Sequence, residues 1–134
     1  MVTIAVLAII VGIAAPSIST QLANQRVKST TATLVNALKE AKAESIIRRQ
    51  DLTFTYNNNS TNEGSIDIED VSSYSYSAKS TIIDSESKNT ITFKPSKRVE
   101  SITYTICDDN AAATAREVSI SKLTNISIKS GGTC

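Results

Sequence analysis

The residues best equipped for chemistry in this sequence are two cysteines, Cys107 and Cys134, 27 positions apart. Two thiols alone do not make a four-ligand zinc site, and histidine, the commonest metal ligand and general base, is absent from the 134 residues. A redox pair in a CxxC arrangement is also missing. In an oxidising compartment the two thiols are expected to form a structural bridge. Closing that loop is worth roughly 3.5 kcal/mol in the chain-entropy picture, a large share of the ~5–15 kcal/mol of a typical domain.

The carboxylates offer less. Asp67, Glu69 and Asp70, or Asp108, Asp109 and Asn110, are oxygen clusters of the kind that suits Ca²⁺. Neither spacing forms a cage, and the plainer reading is a solvated turn. Neighbouring carboxylates are not placed across a cleft, and the serines have no histidine partner, so no acid–base or nucleophilic site is expected. Lys94, Lys97 and Arg98 form a weak basic cluster, read first as another solvated turn. Asn58-Asn59-Ser60 and Asn125-Ile126-Ser127 match the glycosylation acceptor pattern, which is frequent by chance in such a chain. The expectation is a protein with no catalytic residues, no metal, no cofactor and no small-molecule substrate.

Charge separates the chain into parts. The formal net charge is +1. Residues 19–50 carry six basic side chains against Glu40 and Glu44, whereas residues 51–134 carry eight basic and eleven acidic ones. A second half with an acidic excess is a poor magnet for phosphate backbones, so nucleic acid is not expected as a partner.

The elements that position these groups follow from the pattern. Residues 4–15 contain no charged or polar side chain. The run is apolar all round rather than along one stripe, which suits a membrane or a filament core better than a surface helix. Ile4, Val6, Leu7, Ile9, Ile10, Val11 and Ile13 form this anchor, up to Pro16. As a helix, residues 1–16 would be roughly 24 Å long, slightly short of a ~30 Å bilayer core. The sequence is therefore expected to begin inside a longer segment. The competing reading is a secretory signal peptide with Gly12-Ile13-Ala14 as its cleavage site, but such a peptide wants Lys or Arg before the apolar run.

A proline inside a helical pattern ends or kinks the helix, and the pattern resumes at once, which predicts a kink at Pro16. Residues 19–50 continue as an amphipathic helix. Leu22, Val27, Leu34, Leu38, Ala41 and Ile46 fall near one face, and Val27, Leu34, Leu38 and Ala41 are the expected docking residues. Ser29-Thr30-Thr31 is a weak point for helix propensity.

From Asp51 the period becomes two. Ser and Thr number 19 and 16, and most alternate with Ile, Val, Phe and Tyr in the second half, which favours strands with a water-facing side. Strands are predicted at Leu52–Tyr56, Ile66–Ile68, Val71–Tyr76, Thr81–Asp84, Thr90–Lys94, Val99–Ile106, Arg116–Ser121 and Asn125–Lys129. Asn57–Gly64 and Asp108–Asn110 read as turns, Ala111–Ala115 as a loop or short helical turn, and Ser130–Cys134 as a tail that the disulfide ties down. The fold class is α+β: a hydrophobic anchor (1–18), then a head (19–134) made of the amphipathic helix and a β-rich region (51–134). The head is expected to be a soluble monomer without the anchor.

MVTIAVLAIIVGIAAPSI resembles the start of a type IV pilin-like protein, from just inside the mature N-terminus. In that family a peptidase cuts before an aromatic residue and a glutamate follows. That glutamate would lie about two residues before Met1, ahead of the first residue here. Pro16 matches the family's helix-breaking proline, and the long helix, β-rich head and C-terminal disulfide fit the same pattern.

Within the family, Ala32–Ser45, Leu52-Thr53-Phe54, Ile91-Thr92-Phe93 and Ile106-Cys107-Asp108 are most similar to the GspH-like pseudopilins and FimT/FimU-like minor pilins. Cys134 points to the FimU-like branch. FimT-like relatives bind DNA through a GRxR motif near the C-terminus. Here Ser121-Lys122-Leu123-Thr124 and Ser130-Gly131-Gly132-Thr133 contain no arginine pair, so that activity does not carry over.

The resemblance implies a pilin-like spine packed on an antiparallel β-rich head. It also implies a minor subunit that helps start or cap a pilus, with other minor and major pilins as partners. The subunit would sit in the inner membrane, head in the periplasm, before moving to the surface pilus. A type II secretion pseudopilin and a DNA-uptake minor pilin are the alternatives.

Overall fold

The computed structural model describes residues 1–134, apart from the side chains of Ala14 and Pro16. The side chains of Ala14, in the expected cleavage site, and of Pro16, at the expected kink, lie outside the described residues. One helix, α1, spans Val2–Arg48. It ends at Arg49, which takes up a left-handed conformation (φ 56°) and turns the chain into the first strand. Eight strands follow: β1 (Leu52–Asn57), β2 (Gly64–Ile68), β3 (Ser72–Tyr76), β4 (Ser80–Asp84), β5 (Thr90–Phe93), β6 (Ile102–Asp108), β7 (Arg116–Ile120) and β8 (Ile126–Ser130). This is a long helix followed by antiparallel sheets, an α+β fold.

The strands form two four-stranded sheets, ordered β3-β2-β1-β5 and β4-β6-β7-β8. Every pairing is antiparallel. Alternation fixes which side faces inward. In the first sheet Phe54 stands opposite Ile68 on one side and Ile91 on the other, all buried. In the second, Tyr104 stands between Asp84 and Val118. The sheets meet at Tyr104, whose ring centroid lies 6.3 Å from Phe54 and 5.9 Å from Tyr56, the latter edge-on.

A hydrogen bond also joins the sheets. The Tyr56 hydroxyl donates to buried Asp84 Oδ2 at 2.8 Å, and Asp84 accepts backbone N–H groups of Glu86, Lys88 and Asn89. Burial opposes the Asp84 charge. The bonds from Asn89, Tyr56, Lys88 and Glu86 outweigh it, so the carboxyl titrates below its usual range. Burial, reinforced by Asp84, raises the Tyr56 pKa.

The helix packs on both sheets through Ala23, Val27, Thr30, Thr31, Leu34, Val35, Ala37, Leu38, Ala41 and Ser45, all buried. These positions recur at steps of three and four, the seam of a helix on a flat partner. Leu22, expected on this face, is 56% exposed, and Ile46 only half-buried. The seam runs through Ala23, one residue and about 100° of helix rotation away from Leu22. Thr30 and Thr31, the weak point for propensity, are buried on this seam. The Thr31 hydroxyl donates back to Val27 O at 2.6 Å, so the buried polar atom is satisfied.

The sixth strand expected, Val99–Ile106, starts later. Residues 99–101 lie outside β6, and Val99 N donates instead to Lys122 O at 3.3 Å. Gly64 is required by its cross-strand neighbour: a Cβ there would come within 2.3 Å of the Tyr76 ring. That ring is held by its hydroxyl, which donates to Asn57 O and Asn58 Oδ1. Burial pushes the Tyr76 pKa up to about 12.

Candidate assembly site

Residues 2–18 extend α1 beyond the head. Exposure of the anchor side chains runs from 50% at Val6 to 74% at Ile4, with Leu7, Ile9, Ile10, Val11 and Ile13 between. Ile18 and Leu22 are more than half exposed as well. Uncovered apolar surface of this extent marks a binding surface. An 18-residue window of this helix is long and apolar enough to cross a membrane, and none of it is buried against the head. The side chains of residues 4–13 can neither donate, accept nor titrate; burial among apolar neighbours is all that they offer.

A short polar zone joins this segment to the head. Asn110 Nδ2 lies 3.3 Å from Ser19 Oγ, Thr114 N donates to Asn24 Oδ1 at 2.8 Å, and Arg26 grips Asp108 with two parallel bonds of 2.8 and 2.9 Å. Arg26 also lies 3.6 Å from Asp109. The Asp108 side chain has no exposed surface. Burial opposes its charge, but the Arg26 guanidinium and the Asn110 N–H hold the carboxyl below its usual range. The same bond, against some desolvation, raises the Arg26 pKa. Sequence reasoning missed this clamp because its partners are 82 residues apart; the signal available was an acidic pair following Cys107 with no cation nearby in sequence.

The clamp also disposes of Asp108 as a calcium ligand, since Arg26 occupies both its oxygens. Asp67 accepts hydroxyl bonds from Ser65 and Ser73. Among the described residues no group of three or more His, Cys, Asp or Glu side chains is placed to hold a metal ion. Asn58, a glycosylation candidate, has its amide committed: Nδ2 donates to Ile82 O and Oδ1 accepts from Ile82 N.

The docking residues Val27, Leu34, Leu38 and Ala41 are each at most 1% exposed. Around them Glu40 accepts from the Tyr74 hydroxyl, Lys42 Nζ donates to Thr124 O at 3.3 Å, and Arg48 donates to Asp70 O at 3.2 Å. Cys107 and Cys134 are bonded, with Cα atoms 6.1 Å apart. The tail after β8 doubles back over the outer side of the second sheet. Gly132 lies close over Thr105 and Glu117, and Gly131 N donates to Ala115 O at 2.8 Å. Cys107, on the same outer side of β6 as Thr103 and Thr105, is buried beneath this tail.

The basic cluster is only partly gathered. Lys94, Lys97 and Arg98 are exposed on the turn after β5. Lys94 and Arg98 line an open groove of about 840 Å³ floored by Ile91, Val99 and Leu123, and Lys97 does not. Lys122 joins them, but so do Asp51 and Glu100. A mixed-sign rim of this kind does not track a phosphate backbone.

Comparison with known proteins agrees with this architecture. Residues 30–124 match the family described as "Type II transport protein GspH". Two crystal structures of the type IV minor pilin FimU from Pseudomonas aeruginosa PAO1 share the fold. One, in space group P65, superposes with a TM-score of 0.59 at 15% identity, over 78% of this chain and 90% of that one. The other, in P21, gives 0.57 at 16% identity, over 85% and 90%. No curated protein sequence matches the chain. A helical spine docked on two antiparallel sheets, together with a match over well more than half its length, makes this chain a member of the GspH family, with the fold of a minor pilin or pseudopilin.

Proposed function

We propose that the chain is a non-catalytic minor subunit of a type IV pilus, held in the inner membrane by residues 1–18 with its head in the periplasm, and then built into the filament with other minor and major pilins. The observation that carries this reading is the apolar, fully uncovered first part of α1 joined without interruption to a head that buries its own core. At about 25 cal/mol per Å² of apolar surface removed from water, such a helix anchors a subunit with no other chemistry. The same surface suits lipid before assembly and neighbouring helices afterwards. The fold shared with a protein named as a type IV minor pilin supports the pilus setting.

The test is Ile9→Asp. The variant head should fold as wild type, while recovery of the subunit in sheared surface filaments falls to background. Deleting the gene should sharply reduce surface filaments while the major subunit is still made. Normal filament numbers in the deletion strain, or filaments that accept the variant, would leave a membrane-tethered binding domain as the better account. The family description supports a second reading, a pseudopilin of a type II secretion system. Subunits copurifying from native envelopes separate the two.

A further inference from the structure

A second cleft, of about 240 Å³, opens beside the junction between anchor and head. It is lined by Asn24 and Lys28 of α1, Thr114, Arg116 at the start of β7 and Ser130 at the end of β8. Its composition is one-sided: two cations, three neutral hydrogen-bonding side chains and no carboxylate. Other cations close by are committed, as Arg26 is to Asp108 and Asp109. Among the described residues neither Lys28 nor Arg116 has an ion pair or a side-chain hydrogen bond. Strand parity places Arg116 on the face of β7 that carries Val118 and Ile120, both buried. A guanidinium on an inward face, with another cation as its nearest charged companion in the cleft, leaves a positive field that an anion would neutralise. The volume admits a phosphate-sized group, and Arg with Lys is a phosphate-binding pair.

Position narrows the source of that phosphate. Lys28 lies ten residues beyond Ile18, about 15 Å along the helix axis, and only six residues beyond exposed Leu22. Helical side chains lean toward the N-terminus, and a lysine stem reaches further in that direction. Both effects carry the ammonium toward the layer of headgroups that borders a bilayer core, about 5–8 Å deep on each side. We propose that this cleft binds the phosphate of an anionic phospholipid headgroup while the subunit resides in the membrane. The inference rests on the reading of residues 1–18 as a membrane anchor.

The experiment uses the full chain in phosphatidylcholine nanodiscs with and without phosphatidylglycerol, with native mass spectrometry reporting retained lipid. Wild type should keep a phosphatidylglycerol, and Lys28→Gln with Arg116→Gln should weaken retention about ten-fold or more. Lys94→Gln with Arg98→Gln, the distant basic pair, should retain it. Lys28→Gln alone, at an exposed position, tests the cleft without risk to folding and should lose part of the retention. Unchanged retention in the cleft variants, or equal loss in the distant pair, overturns the proposal.

Titration of the chain in neutral detergent with inorganic phosphate distinguishes the sources. Binding as tight as that of phosphatidylglycerol would assign the cleft to free phosphate and overturn the lipid reading. Flotation with pure phosphatidylcholine vesicles reports the anchor alone. A chain that does not float overturns the anchor reading and the placement of the cleft with it; one that floats without lipid preference overturns only the cleft. Cleft variants that keep their lipid yet fail to enter filaments would point to a carboxylate on a neighbouring subunit instead.

Discussion

In the first half of α1, Ile9 and Ile13 are 63% and 73% exposed; in the second, Leu34 and Leu38 are 0%. The two halves belong to one helix and are both rich in apolar residues, yet only the less apolar one is covered by its own chain. What the second half has is a stripe: Ala23, Val27, Leu34, Leu38 and Ala41 recur at helical spacing, with Arg26, Lys28, Lys39 and Lys42 off it. Small or hydroxyl-bearing residues such as Ala37, Thr30 and Ser45 let the sheets approach. The first half has no stripe, so no single flat partner can cover it. Periodicity, more than apolarity, decides whether a helix is buried by its own head or by other molecules.

This contrast can be broken at several points. The largest effect is expected from Ile9→Asp, which should abolish membrane and filament association while leaving the head's melting temperature unchanged. A large change in melting would mean that the anchor does support the head. Leu34→Ala, on the covered half, should do the reverse. It should destabilise the head by about 2–5 kcal/mol in a denaturant titration, with membrane association intact. Cys134→Ser should cost roughly 3.5 kcal/mol, seen as a lower melting temperature with the far-UV circular dichroism retained.

Arg26→Ala, at the border between the halves, strands the buried Asp108 carboxylate and should cost about 2 kcal/mol. The same change at Arg48, itself exposed on the helix surface beside a part-exposed Glu44, should cost at most about 0.5 kcal/mol. Equal effects would show that the border clamp is no stronger than an ordinary surface pair.

Acid provides the mildest perturbation. Asp84 and Asp108 titrate below their ordinary value of 3.8 in the folded state. Their stabilisation is therefore complete above that value and is lost as pH falls through the lower, folded values. Chemical denaturation should give equal stabilities at pH 5 and 6 but a decline below about 3.8, and Arg26→Ala should flatten that decline.

The period-two stretches made strand positions readable from sequence, because alternation in Leu52-Thr53-Phe54-Thr55-Tyr56 has one structural meaning. The switch at Asp51 marked where helix gives way to sheet. Sheet order was not readable: β4 pairs with β6 and β5 with β1, which local pattern does not encode. The start of β6 was misplaced because Val99 is buried by a contact with the 121–124 turn rather than by a ladder. At the site, the anchor residues stood out as an unbroken apolar run. The Arg26–Asp108 clamp and the Lys28–Arg116 cleft did not, since each joins residues more than 80 positions apart and neither has a motif.

The covalent closure of residues 107–134 has a mechanical meaning. Stretched from its two ends, the chain carries the load across the bridge rather than through β7 and β8. Those strands lie inside an inextensible ring and cannot be peeled off one hydrogen bond at a time. At ~3.4 Å per residue, roughly 90 Å of contour is withheld from extension. Glu117, beneath the tail, then sits in a part of the head that keeps its shape while the rest gives way.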